Sequence, residues 1–359
     1  MKYPPVEYSN YLQLQNILKS QSLRSEEFKK SSHDEMLFII THQTYELWFK
    51  QILFELDSIM EIFKLNSIPE KEMGLVVSRL ERVVQIQKFI NGQIDVLETM
   101  TALDFLDFRE FLYPASGFQS FQWRLIETKL GLRNEDRLLF NDSPFYKALR
   151  PEDQKQMMTV LNEPSLFDLL DKWLARTPYL NFKSFSFWEN YQKVVKEFFD
   201  QEIKTIEAIS HLSPSEKSRT VAQVKASFDQ FHSLFDEAQF TKLQEQGYFR
   251  MSSKAIQAAL FVQLYRDQPV FQMPFRLLQG LMNLDEHMTT WRDRHALMAH
   301  RMIGKKIGTS GSTGHDYLKA TSQKHKVFLD LFNLTTFFIP KSLLPEIPSE
   351  LLVKMNFVQ

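Results

Sequence analysis

The segment from Trp291 to Tyr317 contains the residues that are best suited to chemistry. A helix-like stretch carries His295 in its middle, and four of the ten glycines of the chain follow at positions 304, 308, 311 and 314. Glycine permits positive φ angles and lets ligand atoms approach the backbone closely. A histidine followed by a loop rich in backbone N–H groups and hydroxyls therefore suits a bound cofactor together with a polar substrate.

Taken alone, these residues leave other roles open. A single histidine on a partly apolar helix is most often a hydrogen-bonded core or surface residue, and a Gly/Ser/Thr cluster is most often a plain loop. The stretch from Thr309 to Gly314 has the composition of a nucleotide phosphate loop, but it lacks the closely following lysine and the Gly-Lys-Ser/Thr ending. His295 and His300 are five residues apart, so they lie on different helix faces and make a poor zinc-binding pair.

Two further polar residues, His42 and Arg109, stand in apolar settings. A buried arginine must be paired, and its planar guanidinium suits a carboxylate that accepts two parallel hydrogen bonds. From the residues alone, Arg109 could instead pair with a neighbouring aspartate, and His42 could be a hydrogen-bonded core histidine. Phe38 precedes His42 by four residues and Phe105 precedes Arg109 by four, so each pair shares one face of a helix.

The elements that must position these residues are predicted to be helices. Apolar residues between 33 and about 65 cover most of the circumference of one long helix, which is typical of a central helix or an oligomer interface. Further helices are predicted over roughly 70–100, within 184–246, as a pair within 252–300, and over about 316–336. Eight or more helices with short connections and few strand-like stretches predict an all-α fold, a helical bundle with long central helices.

A single domain is predicted over residues 1–359, with an N-terminal arm over about 1–18. Residues 132–183 are more polar and are interrupted by four prolines, which predicts a smaller helical insertion. The 32 phenylalanines indicate a large aromatic core or a subunit interface.

The composition excludes several classes of protein. The chain has no cysteine, which rules out disulfides, thiolate zinc sites, iron–sulfur clusters and covalently attached c-type haem. A formal net charge of −1 gives no broad basic surface for nucleic acid or for an anionic membrane. No run of 18 or more apolar residues is present, and the first residues lack the apolar region of a signal peptide. We therefore expect a soluble, cytoplasmic protein that binds neither nucleic acid nor membranes.

Around His42, Arg109 and His295, the sequence resembles the tryptophan 2,3-dioxygenase family. The similar segments are 8–12, 33–50, 100–109, 114–120, 173–178 and 291–317, in the family's order over nearly the whole chain. The resemblance implies an all-α haem protein, generally a homotetramer built as a dimer of dimers. It also implies that both atoms of O2 are inserted across the indole C2–C3 bond of L-tryptophan to give N-formyl-L-kynurenine. That reaction is the first step of tryptophan degradation by the kynurenine pathway.

The resemblance implies one non-covalent haem b per subunit and assigns residues to it. His295 matches the proximal ligand of the iron, while Trp291 and Ser116 match residues near the haem and its pocket. Tyr8 and Tyr11 match an N-terminal arm that completes the pocket of a neighbouring subunit.

The resemblance also assigns residues to the substrate. His42 matches the distal histidine that accepts a hydrogen bond from the indole N–H. Arg109 matches the group that binds the substrate carboxylate, and Thr309 matches a contact to its ammonium and carboxylate. Phe38 and Phe105 match walls of the indole pocket. Arg109 together with Thr309 favours an amino acid as substrate.

Four positions depart from the family's pattern. Ser9 and Ser310 each replace a glycine, His315 replaces a tyrosine, and Phe105 is a tyrosine in some members. The loop over 308–314 usually reads Gly-Thr-Gly-Gly-Ser-Ser-Gly, so position 310 does not require a positive φ angle or the loop is slightly reshaped. These departures affect the expected affinity and stereoselectivity for the substrate more than the expected reaction.

Two other functions are kept as alternatives. The first is a haem oxygenase of the same superfamily that acts on another indole, for which the substrate carboxylate would not matter. The second is a non-catalytic haem-binding helical protein, which would keep His295 but tolerate His42→Ala and Arg109→Ala. A helical bundle without haem is the weakest alternative.

Overall fold

Helices make up nearly all of the regular structure in the computed structural model, which describes residues 3–138, 143–304 and 314–356, with the backbone alone at 314–316. In chain order the α-helices are α1 Tyr8–Tyr11, α2 Leu14–Ile17, α3 Arg24–Glu27, α4 Asp34–Phe63, α5 Glu70–Leu97, α6 Ala102–Arg109, α7 Phe121–Leu130, α8 Pro151–Leu161, α9 Leu166–Leu174, α10 Phe187–Ala208, α11 Pro214–His232, α12 Glu237–Glu245, α13 Ser253–Leu264, α14 Gln272–Ile303, α15 Gly314–Lys324, α16 Leu329–Asn333 and α17 Ser349–Met355. The prediction of an all-α fold is confirmed.

Short 3-10 turns and one small β-ribbon complete the described secondary structure. The turns are Glu110–Leu112, Gly117–Gln119, Phe145–Ala148, Pro269–Phe271, Leu334–Phe337 and Lys341–Leu343. Strands β1 (Asn181–Phe182) and β2 (Phe185–Ser186) pair antiparallel, with Asn181 opposite Ser186 and Phe182 opposite Phe185. Among the described helices, none combines the length and the apolar character that crossing a bilayer requires.

The described residues divide into two compact units. Unit 1 takes them from 1–57, 82–163 and 286–326, and unit 2 takes them from 58–81, 164–285 and 327–359. The core of unit 2 includes many buried aromatic side chains among aliphatic ones. The Phe187 and Phe261 rings lie 4.7 Å apart, and Tyr191 donates a hydrogen bond to the carbonyl of Phe337. Aromatic residues therefore contribute to the core, which was one of the two predicted places for them. The single domain, the arm and the insertion stay predictions.

In unit 1, local capping fixes helices that carry or adjoin the candidate residues. The Thr101 hydroxyl accepts the backbone N–H of Asp104, and the Asp104 carboxylate accepts the N–H of Thr101 at 2.9 Å, which forms a capping box at the start of α6. Ser120 caps α7 by accepting the N–H of Trp123. Gly131 follows α7 and Gly304 follows α14, with φ angles of +124° and +58°, at positions where a side chain would be strained.

The prediction of one helix over about 316–336 is wrong, because α15 ends at Lys324 and α16 begins at Leu329. The helix is interrupted because a side chain of unit 2 binds the backbone between α15 and α16. The buried Asp285 carboxylate accepts the backbone N–H of Val327 at 3.1 Å and that of Phe328 at 3.0 Å. These N–H groups are thereby satisfied outside a helix, which lets the chain turn at this point.

Candidate active site

A cavity with a volume of about 290 Å³ in unit 1 gathers most of the candidate residues. Those that line it are Phe38, His42, Phe105, Arg109, Ser116, Trp291 and His295. They come from α4, α6, α14 and the turn before α7, which are far apart in the sequence. The cavity floor continues into an apolar cluster made by Leu97, Met100, Phe108 and Met302, against which Phe38 and Phe105 pack. The site is therefore a mostly apolar chamber with a few polar groups, as ligand pockets usually are.

Three candidate residues are not among those that line the cavity. Tyr8 and Tyr11 are on α1 and are each 75% exposed. Thr309 lies outside the described residues, as do Ser310 and the rest of the loop from 305 to 313.

His42 has a defined tautomer. Its Nδ1 lies 2.7 Å from the carbonyl oxygen of Phe38, one helical turn earlier. A carbonyl only accepts hydrogen bonds, so Nδ1 carries the proton and Nε2 keeps its lone pair. The ring opens into the cavity, but protein shields it from bulk water. This burial lowers the pKa of His42, against smaller opposing effects from the Phe38 carbonyl and the Glu46 carboxylate. His42 is thus a neutral hydrogen-bond acceptor.

Phe38 and Phe105 form an aromatic wall beside this acceptor. The Phe38 ring lies 4.1 Å from the His42 ring and 5.8 Å from the Phe105 ring, measured between centroids. Phe108 packs against both, with ring centroids 5.5 Å from Phe38 and 5.4 Å from Phe105, and its ring is perpendicular to that of Phe105. Such a wall suits a flat aromatic ligand.

Arg109 is the last residue of α6, is partly buried and lines the cavity. One aspartate considered as its partner, Asp104, uses its carboxylate at the other end of the helix, where it accepts hydrogen bonds from the backbone and hydroxyl of Thr101. The guanidinium brings a permanent positive charge to a chamber whose wall is otherwise largely apolar.

His295 lies on α14 with its Nδ1 fully buried and without a hydrogen-bond partner in the described part of the chain. Burial, with a smaller effect of His42, lowers the pKa of His295 to about 4. The ring is therefore neutral at physiological pH and has an unshared electron pair to offer a metal. Trp291 lies beside it, 5.1 Å away between ring centroids, and Trp123 packs against Trp291 at 4.4 Å.

The helix that carries His295 is held in place by the residue that precedes it. Arg294 donates to the carbonyl of Asn91 at 2.9 Å and pairs with Asp95 on α5 and with Glu98 just after it. Asn91 in turn donates to the carbonyl of His287 at 3.0 Å. These bonds fix how far α14 is rotated and hence where His295 points.

Sequence reasoning missed several polar residues of the wall. Glu46 accepts hydrogen bonds from Ser120 at 2.6 Å and from Gln122 at 2.8 Å, which ties α4 to the start of α7. A second polar group, centred on Glu127, borders the cavity together with Arg124 and Arg292. The spacing of three residues between Arg124 and Glu127 was the available signal, but the third arginine, Arg292, is too distant in the sequence to be recognised as a partner.

The chain is similar to known proteins over almost all of its length. A family model described as tryptophan 2,3-dioxygenase matches residues 3–338. A tryptophan 2,3-dioxygenase of Bdellovibrio bacteriovorus is 56% identical over 357 residues, which are 99% of each chain. A protein of the same name from Alteromonas mediterranea is 44% identical over 353 residues, 98% of each chain. A tryptophan 2,3-dioxygenase of Mus musculus is 45% identical over 341 residues, 94% of this chain and 84% of the mouse chain.

Proposed function

Because the chain belongs to the tryptophan 2,3-dioxygenase family, we propose that it adds both atoms of O2 across the indole C2–C3 bond of L-tryptophan. The product would be N-formyl-L-kynurenine, which opens the kynurenine pathway of tryptophan degradation. The observation that carries the proposal is that His295, His42 and Arg109 border one cavity. They provide a metal ligand, a neutral acceptor and a fixed cation in the same chamber.

The residues present fit a haem. His295 offers a neutral imidazole, and its buried Nδ1 has no partner among the described residues. Those residues include no group of three or more potential ligands that could hold a bare metal ion, so a single histidine suits iron that arrives in a macrocycle. With no cysteine in the chain, we infer one non-covalent haem b per subunit, with Trp291 and Ser116 beside it. When bound, ferrous haem supplies the reactivity toward O2 that no side chain has.

The remaining groups bind and orient the substrate. Nε2 of His42 accepts the indole N–H, and the Phe38–Phe105 wall holds the ring flat. Arg109 binds the carboxylate with two parallel hydrogen bonds, and Thr309 contributes from the loop outside the described residues. Fixing both ends of the amino acid holds the indole in a reactive orientation, which lowers the entropic part of the barrier.

One assay tests this function. The protein is reconstituted with haemin and reduced with ascorbate, L-tryptophan is added in air, and N-formylkynurenine is followed together with the Soret band. Product formation supports the proposal. A Soret band without product would favour the alternative of another indole substrate, or of a non-catalytic haem protein if no indole reacts. The absence of a Soret band would overturn the proposal that the protein binds haem.

His42→Ala is expected to lower kcat/KM only about two- to tenfold, because one hydrogen bond between neutral groups contributes about 0.5–1.5 kcal/mol. A general base would matter more, since losing one costs about 10²- to 10⁴-fold. Steady-state kinetics with L-tryptophan would measure the effect, and a loss above a hundredfold would contradict the orienting role.

The pH profile of the same two proteins provides the control. Because the pKa of His42 is lowered in the fold, its neutral form persists below the ordinary value of 6.5. The kcat/KM of the wild type should therefore stay level as pH falls through 6.5, and the alanine variant should show the same profile there.

We infer a homotetramer, a dimer of dimers, and exposed apolar residues of unit 1 support self-association. Ile40, Leu47 and Phe54 follow one another at intervals of seven residues on α4, and all three are exposed. Phe89 and Val96 repeat the interval on α5, and they too are exposed. An apolar stripe on neighbouring helices is the pattern of a helix–helix interface. The exposed arm with Tyr8 and Tyr11 is available to a neighbouring copy.

Phe54→Glu, at a side chain that is 71% exposed, is expected to lower the assembly to dimers or monomers. A carboxylate in an apolar interface loses its hydration without gaining a partner. Light scattering after size-exclusion chromatography would measure the mass. Lys225→Glu on the exposed side of α11 is the matched control and should leave the mass unchanged. An unchanged mass in Phe54→Glu would exclude this stripe as the interface.

The cytoplasmic location and the single domain over 1–359, with its arm over about 1–18 and its insertion over about 132–183, stay predictions from the sequence.

A further inference from the structure

A buried cluster of charged side chains borders the cavity without a role in the proposed reaction. At its centre is Glu127, which is 1% exposed. Its carboxylate accepts hydrogen bonds from Arg124 at 3.0 Å, Arg137 at 2.7 Å and Arg292 at 2.8 Å. All three arginines are buried as well. Arg124 and Glu127 come from α7, Arg292 from α14, and Arg137 from the loop after α7.

Glu127 is ionised despite its burial. Removal from water would by itself raise the pKa of Glu127, but Arg137 and Arg124, with help from His325 and Arg292, hold it well below the usual range. The charge of −1 at the centre of the cluster is therefore fixed over the working range of pH.

His325 contributes no charge. The backbone N–H of Leu138 donates to its Nε2 at 3.3 Å, so that nitrogen carries a lone pair. Burial lowers the pKa of His325 more than the neighbouring Glu127 raises it. The ring is thus neutral, with Nδ1 as the protonated nitrogen that faces Glu127 at 3.9 Å.

The cluster carries an excess of positive charge. Three guanidinium charges against one carboxylate charge leave two positive charges in excess. Within the part of the chain that the structure describes, no second carboxylate pairs with these arginines. Charges shielded from water act over longer distances than charges at the surface, because salt and solvent screen them less.

The excess charge borders the same cavity as the proposed metal ligand. Arg124, Glu127 and Arg292 line the same cavity as His295, and Arg292 precedes His295 by three residues on α14. Arg137 does not line the cavity, although it belongs to the cluster. Its charge can therefore be changed without altering the surface that a ligand would touch.

We propose that the Glu127 cluster raises the reduction potential of the haem iron and so favours the ferrous state that reacts with O2. The inference rests on the proposed function, since it requires the haem in this cavity. Reduction transfers one electron from an external one-electron reductant to ferric iron, which becomes ferrous. Neighbouring positive charge stabilises the form with the added electron.

The test is a spectroelectrochemical titration of the reconstituted holoenzyme. Arg137→Gln removes one positive charge and should lower the ferrous-to-ferric ratio at a fixed potential about tenfold, which is about 59 mV for one electron. Arg137→Lys keeps the charge and should stay near the wild type. Glu127→Gln removes the negative charge and should shift the ratio in the opposite direction. Arg150→Gln, at an exposed arginine of the same unit, should have no effect.

The signs of the shifts separate an electrostatic role from a purely structural one. Opposite shifts in Arg137→Gln and Glu127→Gln support the proposal, whereas shifts in the same direction, or none, overturn it. If Glu127→Gln does not fold, Arg124→Gln and Arg124→Lys repeat the comparison. A lower ratio with glutamine but not with lysine supports the proposal, and equal ratios overturn it.

The wild type separates failure of this inference from failure of the proposed function. If the wild type forms no Soret band with haemin, the proposed function fails and this inference fails with it. If the wild type binds haem and forms N-formylkynurenine while the variants keep the wild-type potential, the inference alone is overturned.

Discussion

His295→Ala is expected to abolish haem binding and, with it, all turnover. His295 is the one histidine of the described cavity wall that combines a neutral ring, a buried Nδ1 without a partner and a place beside Trp291. Under the proposed function, alanine would leave the iron without its protein ligand. Since losing even an outer-shell partner costs up to about 100-fold in metal affinity, losing the ligand itself should cost at least about 100-fold. A haemin titration followed at the Soret band measures the affinity.

The control for this variant is His300→Ala. His300 is exposed on the same helix, five residues further on, and should be replaceable without loss of haem. Added imidazole should restore a Soret band to His295→Ala, because it can enter the vacated space and bind the iron. Full haem affinity in His295→Ala would assign the ligand elsewhere.

Helical periodicity was sufficient to predict the local part of this site. The pattern predicted a helix over 33 to about 65, and the structure has one at Asp34–Phe63. The spacing of four residues placed Phe38 and His42 on one face, and their rings lie 4.1 Å apart. Both features depend on neighbours within one or two turns, which is the range that a sequence pattern reports.

The sequence could not predict how distant helices come together. Arg124 and Glu127 are three residues apart and could be paired from the sequence, but the bond from Arg292 to Glu127 spans 165 residues. The hydrogen bond that fixes the His42 tautomer was not predicted either, since it depends on the side-chain rotamer within α4. The break before α16 likewise depends on Asp285, 42 residues away from Val327.

The resemblance to the family predicted more of the site than helical periodicity did, because it assigned residues from separate helices to one site. The structure places seven of those residues on one cavity wall. Their roles toward haem and substrate stay proposals, and the most informative of them for substrate choice is Arg109.

Arg109→Met is expected to lower kcat/KM for L-tryptophan about 30- to 5,000-fold, because losing one partner of a buried charged pair costs about 2–5 kcal/mol. Methionine keeps the unbranched apolar stem of the side chain and removes the charged guanidinium. Steady-state formation of N-formylkynurenine measures the change. Arg109→Lys should recover part of the activity, since an ammonium keeps the charge but lacks the two parallel donors.

Tryptamine, which lacks the carboxylate, shows whether Arg109 acts through that group. The wild type should turn it over far more slowly than L-tryptophan, and Arg109→Met should reduce that slow rate little further. This comparison forms a double-mutant cycle between enzyme and substrate. Damage to the fold would lower the rates with both substrates equally, so its effect cancels in the ratio of the two rates. Equal losses on the two substrates would therefore remove Arg109 from substrate recognition. Equal turnover of both substrates by the wild type would favour an enzyme that acts on another indole.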